Sequence, residues 1–154
     1  MTETQSGHVY FAEDLRVGMS AHMTRTVGEE DILKFAEVSG DHNPLHLDEA
    51  FAATTKFGGR VAHGMLTASF ISAVIGNQFP GPGCIYISQT LKFKAPVRIG
   101  DTVKVEVTLV HLHSTRNRAT FRTIASAGDK VVIEGEAVGL VPSRPSNAGS
   151  VLTG

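Results

Sequence analysis

Residues 65–76 carry Met65, Leu66, Phe70, Ile71, Val74 and Ile75 among small residues, and no charged side chain. The run predicts a helix that is apolar on nearly every side, and such a helix is normally wrapped by the rest of its protein. Thr67, Ser69 and Ser72 interrupt the run, which is also too short to span a bilayer, so no membrane partner is expected. Pro80, Gly81, Pro82 and Gly83 follow and end the helix in a turn.

The wrapping has to come from the second half of the chain. Val103, Val105, Val107 and Leu109 alternate with Lys104, Glu106 and Thr108, which is the two-residue period of a half-buried strand. Residues 85–93, 118–126 and 130–141 are further candidate strands, joined by turns such as Ala127-Gly128-Asp129. Short turns between sequential strands mean antiparallel pairing. The expected class is therefore α+β, a single domain in which an antiparallel sheet curls around a long central helix. Residues 11–142 form that domain, with flexible segments expected at 1–10 and at the Pro-, Ser- and Gly-containing tail 143–154.

The first half supplies shorter elements. Residues 20–27 read as a strand, and Glu29-Glu30-Asp31 place three carboxylates where a helix dipole favours them. Either Thr26 with Glu29 or Gly28 can cap that helix, whose inward face holds Ile32, Phe35, Ala36 and Ser39. Asp48 can cap a second short helix through Ala53.

Between the two lies Gly40-Asp41-His42-Asn43-Pro44-Leu45-His46. Gly40 supplies a left-handed terminus for the preceding helix, and Pro44 drives Asn43 out of the α region. The centre of this loop is expected to be extended, not helical. A rigid loop bearing one acid and one base suits a water molecule held between two proton-transferring groups better than it suits a core. Asn43 is expected to brace the loop through an Asx-type bond, with a contact to substrate as its second possible role. Gly64 opens the central helix, where free N–H groups and the dipole favour negative charge and the lack of a side chain admits a close approach.

Composition excludes other classes. A net charge of -1 over 154 residues gives no electrostatic reason to expect nucleic acid. The one cysteine, Cys84, rules out an internal disulfide and reads as a small buried hydrophobe. His111 and His113 share a strand face but have no further ligand at matching spacing, so no metal is expected. The first eight residues have neither a basic stretch nor an apolar run of signal type, which makes the cytoplasm the expected location.

The layout and the Asp-His loop together resemble the hot-dog fold, and residues 35–50 resemble the signature of R-specific enoyl-CoA hydratases of the MaoC-like family. That family includes small bacterial enzymes that supply R-3-hydroxyacyl-CoA to polyhydroxyalkanoate synthesis. Ser39-Gly40-Asp41 and Asn43-Pro44-Leu45-His46 match its loop, and His63-Gly64-Met65-Leu66 matches the start of its central helix. The likeness runs over residues 17–142. It implies syn addition of water to a trans-2-enoyl-CoA by Asp41 and His46, giving the 3R product, and a thioester oxygen received by the Gly64 N–H. His46 is expected to polarise water and Asp41 to help move the proton to the α carbon, with the reverse assignment left open. The family also carries a serine near its acyl and water site, which makes Ser72 a candidate substrate contact; a back-bond to Ala68 is the alternative. His63 is expected to order the turn. Lys92, Lys94 and Arg98 are expected to be a solvated edge, with coenzyme A phosphates as the other option.

No cofactor is implied beyond the coenzyme A of the substrate. A homodimer is expected, because one unit leaves a sheet edge and an incomplete acyl groove. The acyl pocket is expected between the central helix and residues 51–60 and 77–82, shortened by Phe70, Ile75 or Phe79, and the resemblance implies short acyl chains. Rival functions are a 3-hydroxyacyl-ACP dehydratase, a hot-dog thioesterase and a non-catalytic acyl-binding subunit. The absence of any Asp or Glu from residues 65–76 argues against the thioesterase, and the presence of both Asp41 and His46 against the inactive subunit.

Overall fold

The computed structural model describes residues 7–146. Its strands are β1 (Ser20–Thr26), β2 (Ile85–Gln89), β3 (Lys92–Phe93), β4 (Thr102–Leu112), β5 (Arg118–Ala127) and β6 (Lys130–Leu140). They pair in the order β1-β4-β5-β6-β2, with β3 also on β6, and every pairing is antiparallel. The helices are α1 (Glu29–Ser39), α2 (Pro44–Leu47), α3 (Glu49–Ala53) and the long α4 (Gly64–Asn77).

The inward face of β4 is as its sequence predicts, with Val103, Val105, Val107 and Leu109 buried; on the other face Lys104 is exposed, but Glu106 is half-buried and Thr108 is buried. The four inward residues pack with Phe70, Ile71, Val74 and Ile75 of α4 and with Phe121 of β5 in one core. The arrangement is the hot-dog fold, a sheet curled around one helix.

The wrapping is one-sided. Met65, Ser69, Ser72 and Gly76 form an exposed stripe along α4, spaced by three or four residues, so the helix is not enclosed by its own chain. The opposite flank of the sheet is also open. Ile85, Tyr86 and Ile87 are all exposed on the edge strand β2, whose register on β6 shifts between Tyr86 and Ser88.

Several expectations are corrected. Residues 85–93 form two strands, because the chain crosses over Gly135 at Thr90 between them. Gly28 caps α1 and its N–H donates to the Asp31 carboxylate at 2.8 Å; Thr26 instead bonds Thr102 at 2.7 Å between their hydroxyls. That backbone bond, reinforced by Arg25, holds the Asp31 carboxyl below its ordinary pKa. The domain also reaches past the expected limits of 11 and 142. The Gly7 N–H donates to Asn77 and the Tyr10 ring lies edge-on to Phe79, while Arg144 pairs with Asp14 and its N–H donates to Glu13. The remainder of the two expected flexible segments, 1–6 and 147–154, lies outside the described residues.

Candidate active site

The acid and the base are set by consecutive local devices. Gly40 takes the left-handed conformation (φ 79°) and ends α1, turning the chain so that Asp41 leaves the helix axis. Asp41 Oδ1 then accepts the Asn43 N–H at 3.2 Å, and Asn43 Oδ1 accepts the Leu45 N–H at 3.0 Å. The second bond is the expected Asx brace, and it also caps α2. The extended centre expected here is confined to Asn43 (φ -52°, ψ 124°): Pro44 is the first residue of a single helical turn. Proline fits that position because its missing N–H has no partner to lose there. The turn points His46 inward, where it is 8% exposed.

His46 Nδ1 lies 2.8 Å from the Val61 carbonyl oxygen. A carbonyl only accepts, so Nδ1 carries a proton, and in the neutral ring the lone pair is on Nε2. The same logic applies to His63, the N-cap residue of α4. Its Nε2 is 3.0 Å from the main-chain carbonyl of Asp41, so Nε2 donates and Nδ1 holds the lone pair. The two imidazoles stack with centroids 4.0 Å apart and 31° between planes, and Phe35 packs on His63 at 4.8 Å. Burial lowers the His63 pKa from its ordinary value, the bond to Asp41 opposes that, and neighbouring His46 adds to it.

A cavity of about 570 Å³ collects these groups at the N-terminus of α4. Asp41, His46, His63, Gly64 and Thr67 line its polar side; Leu45, Phe57, Met65, Phe93 and Ile133 line its apolar side. Two buried side-chain atoms among the described residues have no hydrogen-bond partner, His63 Nδ1 and Thr67 Oγ1, and both residues belong to this lining. Unmatched buried polar atoms in a ligand-sized cavity mark where water or substrate is received. The Gly64 N–H is the first of α4 and faces the positive end of its dipole. A Cβ on Gly64 would come within 2.7 Å of the Phe93 ring, so only glycine leaves this N–H approachable.

Other expected positions fall elsewhere. Ser72 is exposed on the outer stripe of α4, on the same face as Met65 but about two turns further along the helix, and is not part of the lining. Phe70, Ile75 and Phe79 are core residues, and the 77–82 loop is absent from the cavity wall; residues 93–97 take that place. Lys94 does reach the lining and pairs with Glu134 at 3.3 Å, Arg98 donates to the Phe57 carbonyl at 2.6 Å, and Lys92 is exposed. The Cys84 thiol is half-buried and pushed up to about 11 by burial, as fits a packing residue.

A metal-ligating set was not anticipated, yet Asp41, His46 and His63 place one potential ligand atom each within 4.8 Å of one another. The two rings lie against each other at 31°, and each already commits one nitrogen to a main-chain carbonyl. The arrangement therefore suits proton handling better than chelation.

Arg60 was also not anticipated, since no motif marks it. Its Nε donates to the His46 carbonyl at 2.6 Å, and its two terminal nitrogens reach the Glu29 carboxylate at 2.8 and 3.0 Å. The guanidinium thereby ties α1 to the turn that carries His46. Arg60→Ala is expected to lower kcat about tenfold, and Arg60→Lys to restore little of it, because an ammonium cannot reproduce the forked geometry. Steady-state kinetics of both variants, normalised to folded protein by circular dichroism, is the check.

This fold and site define a hot-dog protein with a carboxylate and two imidazoles gathered at the mouth of its central helix. The chain belongs to the MaoC-like domain family, whose model matches residues 13–139. It is 53% identical to an (R)-specific enoyl-CoA hydratase of Rhodospirillum rubrum over 88% of this chain and 94% of that protein. Identity to a 3-hydroxybutyryl-CoA dehydratase of Methylorubrum extorquens is 51%, over 88% of this chain and 87% of the relative. Among solved structures, an (R)-hydratase from A. caviae involved in PHA biosynthesis superposes with a TM-score of 0.82 at 44% identity, covering 84% of this chain and 99% of that one.

Proposed function

We propose that this protein is an R-specific enoyl-CoA hydratase, a hydro-lyase that adds water syn across a trans-2-enoyl-CoA and runs in reverse as a dehydratase. The observation that carries this reading is the pairing of an ionisable Asp41 carboxylate with an imidazole whose Nδ1 proton is committed to Val61. Its Nε2 is left as a base for water in a cavity that also contains the start of α4.

The β carbon of an enoyl thioester is electrophilic because its double bond is conjugated to the carbonyl. Water held between His46 and Asp41 loses a proton to Nε2 as its oxygen bonds that carbon. The electron pair of the double bond moves toward the thioester oxygen, where the Gly64 N–H and the helix dipole stabilise the developing charge. The proton taken from water is then returned to the α carbon through Asp41, so the pair ends in its starting state. Both additions come from one water and hence on one face. The step is redox-neutral and draws no electrons from a cofactor.

The exposed stripe Met65, Ser69, Ser72 and Gly76 and the open apolar edge at Ile85 and Ile87 support a homodimer. Ser72 would then face the second copy. Lys56 and Lys94 on the cavity lining suit the phosphates of coenzyme A. Phe57 and Phe93 close the apolar side and favour short acyl chains, in keeping with a role in supplying hydroxyacyl units for polyester synthesis. Among the described residues no helix is long and apolar enough to cross a membrane, which accords with a cytoplasmic enzyme acting on CoA esters.

Crotonyl-CoA is the test substrate. Loss of its enoyl-thioester absorbance with no release of free thiol, and formation of R-3-hydroxybutyryl-CoA, is the expected result. Thiol release would place the protein among the thioesterases. Turnover of crotonyl-ACP but not crotonyl-CoA would place it among the carrier-protein dehydratases.

A further inference from the structure

His63 is 2% exposed, ionisable and lodged among the residues assigned to catalysis, yet the reaction above gives it no proton to carry. A residue there that served only to fill space would be better as an apolar side chain, because a buried imidazole nitrogen without a partner is destabilising. Its Nδ1 has no partner; Nε2 donates to the Asp41 main chain, one side of the ring lies against His46, and Phe35 packs on it as well.

We propose that His63 is a positioning residue that fixes Asp41 and His46 relative to each other. The bond to the Asp41 carbonyl spans 22 positions of sequence and fastens the acid's loop to the N-terminus of α4, the element that also carries Gly64. The stack prevents the His46 ring from rotating about its bond to Val61. One side chain thus sets three groups, the acid, the base and the oxyanion donor, in a common frame. An error of about 1 Å in such a frame lowers turnover on the order of a hundredfold.

The role requires a neutral imidazole, since a second proton on Nδ1 would place a cation face-on against His46. The surroundings provide for that. The titratable groups facing His63 are His46, Asp41 and His42, Phe35 covers a further side, and burial outweighs the Asp41 bond, which keeps the pKa below its ordinary value.

The inference rests on the hydratase reading, so its test has one arm that does not use substrate. In the free wild-type protein, nitrogen-15 shifts of the imidazoles should report His63 as the neutral Nε2–H tautomer and His46 as the neutral Nδ1–H tautomer. In His63→Gln, which can still donate to the Asp41 carbonyl but cannot stack, the His46 signal should broaden or report mixed tautomers; in His63→Phe, which stacks but cannot donate, it should stay close to that of wild type. With crotonyl-CoA both variants should lose about thirtyfold in kcat with KM within about threefold of wild type. His63→Gln should retain more activity than His63→Phe if the bond to Asp41 dominates. Folded variants with wild-type kcat and an unchanged His46 tautomer would overturn the proposal, as would a KM-only effect. Failure of wild type itself to hydrate crotonyl-CoA would strike the hydratase reading alone and leave the tautomer comparison standing.

Discussion

Asp41→Asn is expected to lower kcat for crotonyl-CoA hydration by about a thousandfold, and His46→Gln by a similar factor. The first substitution is nearly isosteric. An amide oxygen can still accept the Asn43 N–H that Asp41 Oδ1 accepts at 3.2 Å, so the loop keeps its shape while the side chain loses its affinity for a proton. The second removes the lone pair on Nε2. A glutamine amide can donate to Val61 as the ring does at 2.8 Å, but it has no basic nitrogen left to offer water. KM should change far less than kcat in both, because neither group is assigned the binding of coenzyme A. Folded variants that keep more than a tenth of wild-type kcat would remove these residues from the chemistry. The two effects should also fall well short of multiplying in the double variant, since acid and base act as one unit.

Gly135→Ala is expected to cost more than about 3 kcal/mol of stability and to lower the melting temperature by about 10 °C or more. An ideal Cβ at this position in β6 would stand 1.8 Å from the Thr90 carbonyl oxygen, where ordinary contact begins at 3.4 Å. Backbone cannot swing aside as a flexible side chain can. Thr90 is also pinned: its N–H donates to the Glu136 carbonyl at 2.9 Å, and its hydroxyl accepts the Glu136 N–H at 2.9 Å. A methyl group would lift this crossing and strip β2 and β3 from β6. The cavity would suffer with it, because β3 carries the Phe93 ring that packs on Gly64. Thermal unfolding by circular dichroism reads the effect, and a melting temperature within about 3 °C of wild type would mean that the crossing relaxes without loss of pairing.

The parts of this fold legible in the sequence are those set by local rules. The alternation of Val103, Val105, Val107 and Leu109 is a property of one strand, and its burial follows wherever that strand pairs. The end of α1 at Gly40 and the Asn43 brace are likewise decided within a few residues. Pro44 misled for an instructive reason: the proline that forbids helix before it is well suited to begin one. The uncharged face of α4 misled differently. Its outer stripe of Met65, Ser69, Ser72 and Gly76 is apolar or small without being covered by this chain, and composition alone does not distinguish a face covered by its own sheet from one left open.

The site was legible in its motif and illegible in its support. Asp41, His46 and Gly64 share one cavity, as the loop and the helix start suggested. Arg60, the stacking of His63 and the apolar wall at Phe93 depend on contacts between elements distant in sequence, which periodicity and spacing do not encode. Ser72 shows the converse: it shares a face of α4 with Met65, which lines the cavity, yet two turns of helix carry it beyond the mouth.

The most direct test of a single water shared by Asp41 and His46 is hydration of crotonyl-CoA in deuterium oxide, with the product's stereochemistry read by NMR. One deuterium at C2 on the same face as the new hydroxyl at C3, in the R product, is the expected result. Deuterium on the opposite face would mean that hydroxyl and proton arrive from different sides, and the Asp41–His46 arrangement would not be the machinery of the reaction; an S product would mean that water adds to the other face of the alkene and would overturn the R-specific reading.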